Sequence, residues 1–218
     1  MKSETESQNG GAAADRSILI LFAHPAFQKS RVNRILIKGL EGMRGVSFHD
    51  LYEIYPDFSI DAAREQALII EHDVLIFHHP FFWYSTPAIL KEWQDIVLEH
   101  GWAYGHEGTA LRGKIMLSVV TTGGRESAYR RDSFSGRTVR EFLVPIEQTA
   151  RLCGMTYLAP FVAHGTHKMT LDQMAKHAEQ YRRLLAALRD HRIDLEAASI
   201  SDLPFINRDL DRLIKGDH

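Results

Sequence analysis

The chain has 218 residues, 44% of them hydrophobic, a formal charge of −2 and a single cysteine. That length is enough for one fully buried core, and the near-neutral charge leaves no basic excess to release counterions from a polyanion, which argues against nucleic acid as the primary partner. No segment has the apolar length of a membrane span or the three-part pattern of a secretory signal, and the lone Cys153, expected on the apolar face of a helix, supplies no disulfide or thiolate-metal framework, so a cytoplasmic chain is expected.

Residues 1–16 are small and polar, with Gly10-Gly11 followed by alanines, and read as a flexible leader outside the fold. Residues 17–23 (SILILFA) form the continuous apolar run of a strand covered on both faces. Residues 30–43 then place Val32, Ile35, Leu36 and Leu40 at helical spacing behind a serine N-cap. A second strand over 46–51 leads through a turn-rich stretch, 52–60, to a helix capped by Asp61. The third strand, 73–79, is expected to end at Pro80, which cannot donate to a ladder. A helix over 86–98 opens with a capping threonine and Pro87 in its first position. The strand 114–121, helix 138–153, strand 155–164 and long helix 170–191 complete the pattern. Strands alternating with helices imply right-handed crossovers and an α/β fold: a flavodoxin-like five-stranded parallel sheet of order 2-1-3-4-5, helices on both faces, over residues 17–191. Residues 192–218 read as an irregular extension.

In such a sheet, ligands bind beyond the carboxyl ends of the strands where the winding direction reverses, so the loops after three strands converge on one crevice. The first holds His24-Pro25 and then Ser30, Arg31, Val32 and Asn33 at a helix start, where unpaired N–H groups and the serine hydroxyl suit a phosphate; a plain N-cap would also account for Ser30. The second is a run of four aromatics, Phe81, Phe82, Trp83 and Tyr84, at an exposed tip between Pro80 and Pro87. It forms a wall for a flat ring, or else a plug or dimer contact. The third, Thr121, Thr122, Gly123 and Gly124, permits close backbone approach and offers hydroxyls. Together the three point to a flavin.

Competing motifs fail on context. Gly108, Gly113 and Lys114 have phosphate-loop spacing, but Ile115 replaces the required hydroxyl residue and a strand follows. No dinucleotide fingerprint or nucleophile elbow is present. Of the twelve histidines, His78 and His79 point to opposite faces of a strand and His164 with His167 lacks a third ligand, so no metal site is expected.

The segments AHP at 23–25 with SRVN at 30–33, LYEIYPDFSID at 51–61, HPFFWYSTPAILKEW at 79–93, HGWAYG at 100–105 and TTGGRESAY at 121–129 carry a resemblance. From Ile18 to about Leu185 the chain resembles the NAD(P)H:quinone oxidoreductase family of flavodoxin-like flavoproteins, including the bacterial ancillary proteins of glutathione-gated potassium efflux systems. The resemblance implies a flavin held by His24, Ser30, Arg31, Val32, Asn33, Phe81 to Tyr84 and Thr121 to Gly124. It implies a catalytic pocket formed by Tyr129, Trp83 and Tyr104, the last contributed across a homodimer interface. It also implies hydride transfer from NAD(P)H to a quinone by a ping-pong cycle, and a membrane antiporter as a second partner. The companion histidine of mammalian-type members is not apparent, since Asp132-Ser133-Phe134-Ser135 occupies that stretch. Resemblance to the shorter bacterial branch favours FMN; the tail ASISDLPF at 198–205, similar to the extension of FAD-using relatives, leaves FAD open. A regulatory role on the antiporter, or reduction of azo or nitro compounds, stand as alternatives to quinone reduction.

Overall fold

The computed structural model describes residues 14–200 and 202–216. Strand β1 (Ile18–Phe22) lies between β2 (Val46–Asp50) and β3 (Val74–Pro80); β4 (Ile115–Thr122) follows β3, and β5 (Thr156–Tyr157) and β6 (Phe161–His164) share the far side of β4. All pairs are parallel, in the order 2-1-3-4-5. Every residue of β1, β3 and β4 is buried, which is why these strands read as unbroken apolar runs instead of alternating ones.

The helices are α1 (Arg31–Leu36), α2 (Leu51–Ile54), α3 (Ala62–Ile70), α4 (Ala88–Val97), α5 (Val139–Phe142), α6 (Val144–Leu152), α7 (Leu171–Arg189), α8 (Leu195–Ser199) and α9 (Leu210–Leu213). Alternate strand residues feed two cores. Ile18, Ile20, Ile76 and Leu117 pack with Val32 and Leu36 of α1, with Tyr181, Leu184 and Leu188 of α7, and with Leu210 and Leu213 of α9. Leu19, Leu21, Phe77 and Met116 meet Leu51, Ile69, Trp93 and Ile146 from α2, α3, α4 and α6. Each such side chain contributes about 1.5–3 kcal/mol by leaving water. The chain leaves β1 for α1 on one face and leaves β2 for α3 on the other, so the winding reverses between β1 and β3 and opens a crevice at their carboxyl ends.

Several boundaries differ from expectation, each for a local reason. The helix expected over 30–43 stops at Leu36, and Gly39 takes φ +83°, the left-handed conformation that ends helices. The helix over 138–153 is two helices, because Pro145 lacks the N–H that would continue α5 into α6. Pro160, between β5 and β6, splits the expected fifth strand, and the Ala159 N–H turns away to the Ala198 carbonyl. Pro87, not Thr86, occupies the cap position of α4 and gives it no side-chain bond. Pro80 remains in β3 as its last residue, opposite Thr121, and the next N–H, of Phe81, donates to the Thr121 carbonyl at 2.8 Å. The turn-rich stretch begins with α2, capped by the Asp50 carboxylate.

The extension after residue 191 is built into the fold: Ile193, Ala198, Ile206, Leu210 and Leu213 are buried. Residues 1–13 of the expected leader lie outside the described residues. Asp15 pairs with Arg44 at 2.9 Å, and the Arg16 N–H donates to the Arg189 carbonyl at 2.9 Å.

Candidate active site

An open cleft of about 780 Å³ lies at the carboxyl ends of β1, β3 and β4. His24, Ser30, Arg31, Val32, Asn33, Phe81, Phe82, Thr121, Gly123, Gly124 and Tyr129 line it together with Ala26, Lys29, Pro80, Thr166 and His167. One contiguous space therefore collects all three loops.

The lip contributed by β1 is a set of donors. Ser30 Oγ accepts from the backbone N–H of Asn33 at 3.2 Å and from Asn33 Nδ2 at 3.0 Å, which leaves its own proton free. The N–H groups of Arg31 and Val32 have no acceptor among the described residues. His24 Nδ1 accepts from the Ala26 N–H at 3.2 Å, and burial lowers the pKa of the ring, so the neutral imidazole carries its proton on Nε2. With the Lys29 and Arg31 cations on the same rim, the lip suits an anionic group.

Asn33 has a different role from the one expected. Its Nδ2 donates to Ser30 Oγ and, at 3.1 Å, to Thr121 Oγ1, and its Oδ1 lies 3.0 Å from His78 Nε2. Both amide protons are thus used inside the protein, and Asn33 ties the lip to β3 and β4 instead of donating to a ligand. Burial pushes the His78 pKa down to about 3, with the nearby histidines adding to it, so the ring is neutral and Nε2 donates.

The aromatic loop is a tight two-residue turn. Phe82 and Ser85 exchange N–H···O bonds at 3.2 and 3.0 Å, and Trp83 and Tyr84 between them take φ values of +50° and +64°. Two bulky residues in left-handed conformations cost about 1–2 kcal/mol each. Phe81 and Phe82 line the cleft, whereas Trp83 and Tyr84 do not: Trp83 is 94% exposed, and Tyr84 packs on Phe142 at 5.0 Å. The Trp83 and Tyr84 N–H groups have no acceptor among the described residues.

On the opposite wall, Gly123 and Gly124 leave room for two side chains that approach closely. A β-carbon on Gly123 would lie 2.5 Å from His167 Nε2, and one on Gly124 would lie 2.9 Å from the Tyr129 hydroxyl. Thr122, expected to face the ligand, instead points into the protein: it donates to the Gly124 carbonyl at 2.9 Å and meets His164 Nδ1 at 3.1 Å. Tyr129 lies edge-on to Phe81 at 5.7 Å, and its hydroxyl makes no hydrogen bond among the described residues. Tyr104 is outside the cleft, packed on His100 at 5.4 Å.

Lys29, Thr166 and His167 were missed by the sequence reading. The last two arrive because their loop is laced to the glycine loop, Gly165 N–H to the Gly124 carbonyl at 2.8 Å and Thr166 N–H to the Thr122 carbonyl at 3.0 Å. The available signal was position alone, since both residues follow β6 at the same end of the sheet.

Comparison with known proteins places this site in context. Residues 16–185 match the family model described as "Flavodoxin-like fold". The chain is 44% identical over 170 residues to the glutathione-regulated potassium-efflux system ancillary protein KefG of Enterobacter sp. (strain 638), covering 78% of this chain and 93% of that protein. The structure of general stress protein 14 from Treponema denticola in complex with FMN superposes with a TM-score of 0.75 at 37% identity, over 79% of this chain and 99% of that one. An NADPH-quinone reductase from P. pentosaceus gives a TM-score of 0.71 at 29% identity, over 78% and 97% of the two chains.

Proposed function

This chain belongs to the flavodoxin-like fold family, and from that premise we propose that it is an FMN-dependent oxidoreductase that passes hydride from NAD(P)H to a quinone. The observation that carries the reading is the single cleft at the β1–β3 reversal, with an anion-binding lip on one side and a glycine-opened wall on the other. The donor set fits a flavin nucleotide: the Ser30 hydroxyl, the Arg31 and Val32 N–H groups and His24 Nε2 would hold its phosphate, and the unpaired Trp83 and Tyr84 N–H groups, in the turn that follows the cleft-lining Phe82, would be available to ring carbonyls. FMN is supported over FAD by the FMN-bound relative at 37% identity.

A flavin bound here would supply the hydride acceptor and donor. The chain's own residues would orient it and keep water from its face through Phe81 and Phe82, with the free Tyr129 hydroxyl as a donor to negative charge on the ring. No side chain need act as a nucleophile. Trp83 and Tyr104, both outside the cleft of their own chain, fit a site completed by a second copy, so the working unit in this reading is a homodimer in the cytoplasm.

A second reading rests on the 44% identity to KefG: the same chain acts as an ancillary subunit on a potassium-efflux antiporter, with or without turnover. The deciding experiment is an anaerobic absorbance titration of FMN-reconstituted protein. Bleaching of the visible flavin band by NADH or NADPH and its return on adding a benzoquinone is the expected result. Failure to retain FMN would end the oxidoreductase reading and leave the ancillary one.

A further inference from the structure

The family match ends at residue 185, yet the chain continues through the end of α7 and returns along the free side of β6. Asn207 imitates a neighbouring strand there: its Oδ1 accepts from the Val162 N–H at 2.9 Å and its Nδ2 donates to the Val162 carbonyl at 3.0 Å. The Ile206 N–H adds a bond to the Pro160 carbonyl at 2.9 Å. The buried Arg140 grips the approach to this strap, donating to the carbonyls of Ile200 at 2.8 Å and Leu203 at 2.7 Å. The segment is thereby fixed in register with β6.

That register places two side chains one residue away from Tyr129, Phe205 behind His164 and Arg208 behind Glu126. The Phe205 ring lies 5.3 Å from the His164 ring, and His164 in turn stacks on Tyr129 at 5.8 Å with 30° between the planes. Arg208, whose guanidinium sits 4.7 Å over the Phe205 ring, pairs with Glu126 at the start of the 3-10 turn that runs directly into Tyr129. His164 is held in one state: Thr122 spends its proton on the Gly124 carbonyl, so His164 Nδ1–H must donate to Thr122, and burial keeps the ring neutral, with a pKa near 4. Tyr129, His164, Phe205 and Arg208 also bound a second cavity of about 290 Å³, so the Tyr129 ring borders both this space and the cleft.

We infer that Phe205 and Arg208 of the C-terminal extension are positioning residues for Tyr129, clamping its ring between the cleft and the second cavity with its hydroxyl over Gly124. Without the clamp, the tyrosine would keep Phe81 at its cleft edge and a His164 ring no longer packed by Phe205, on a surface turn no longer tied to the extension. The significance of Tyr129 rests on the proposed oxidoreductase reading; the positioning itself does not.

The test uses full-length, flavin-free protein carrying 3-fluorotyrosine at position 129, observed by fluorine NMR. The expected result is one narrow resonance in the parent and in Phe205→Tyr, and a shifted or broadened one in both Phe205→Ala and Arg208→Ala. Arg208 is half-exposed, so its variant should fold even if Phe205→Ala does not. In FMN-loaded protein the two alanine variants should lose about tenfold in kcat for quinone with KM for NAD(P)H unchanged, and Phe205→Tyr should restore it. A Tyr129 resonance unmoved in both alanine variants, with only the melting temperature falling, would reduce the extension to a stabilising strap and overturn the inference. If the parent takes up no FMN, the oxidoreductase reading fails, while the resonance comparison still decides the positioning.

Discussion

Asn33 Oδ1 lies 3.0 Å from Nε2 of His78, a ring buried in β3 45 positions away, and this bond joins the lip of the cleft to the sheet beneath it. Asn33→Leu keeps the volume but strands the His78 N–H and removes donors from Ser30 and Thr121. Burying an unpaired donor costs about 1–3 kcal/mol and each of the two lost bonds about 1 kcal/mol, so a loss of roughly 3–5 kcal/mol in urea unfolding is expected. FMN affinity should fall with it, because the lip would no longer be held to β4.

Trp83 and Tyr84 store strain that stability alone would not select. Trp83→Asn places a residue tolerant of the left-handed region at φ +50° and removes no buried contact, since the indole is in solvent. The expected gain is roughly 0.5–1 kcal/mol, read as a higher melting temperature, together with slower quinone reduction in stopped flow. An unchanged reduction rate would separate the strain from function.

Gly123 and Gly124 should differ although they are adjacent. A β-carbon on Gly123 meets the tip of the exposed His167, which can swing aside, whereas one on Gly124 meets the hydroxyl and ring of Tyr129, which is backed by His164. Gly124→Ala should weaken FMN binding at least about tenfold, or 1.4 kcal/mol, and Gly123→Ala by about threefold or less. A fluorescence titration distinguishes the two.

The sheet and its switch point were legible because β1, β3 and β4 are covered on both faces and so carry unbroken apolar runs, and because Ser30 and Asp61 are caps with a local mechanism. What escaped depends on partners distant in sequence. Asn33 reads as a ligand contact until His78 and Thr121 are seen to use its amide. Thr122 reads like Thr121 until strand alternation sends it to His164. Thr166 and His167 reach the cleft only through bonds to a loop more than forty positions earlier. The role of the tail was invisible because Asn207 pairs with Val162 through its side chain, leaving no strand pattern to read.

Glu65 gives the fold a defined acid limit. Its carboxylate is fully buried between α3, α2 and α4, and it accepts from Tyr55 Oη at 2.7 Å, Trp93 Nε1 at 2.8 Å and His49 Nε2 at 2.9 Å. Burial pushes the pKa up, but the bonds from His49, Tyr55 and Trp93 outweigh it and hold the group below the ordinary glutamate range. A carboxylate whose pKa is lower folded than unfolded adds stability that is complete above the unfolded value, near pH 4.3, and is lost as pH falls through the folded one. Glu65→Gln turns an amide N–H₂ toward groups that are all donors, so it should cost about 2–3 kcal/mol at pH 7. Because the parent gives up its carboxylate contribution in acid while the glutamine variant has none to lose, the gap between their urea midpoints should narrow from pH 5 to pH 3. A gap independent of pH would mean that Glu65 stabilises the fold through packing and not through its charge.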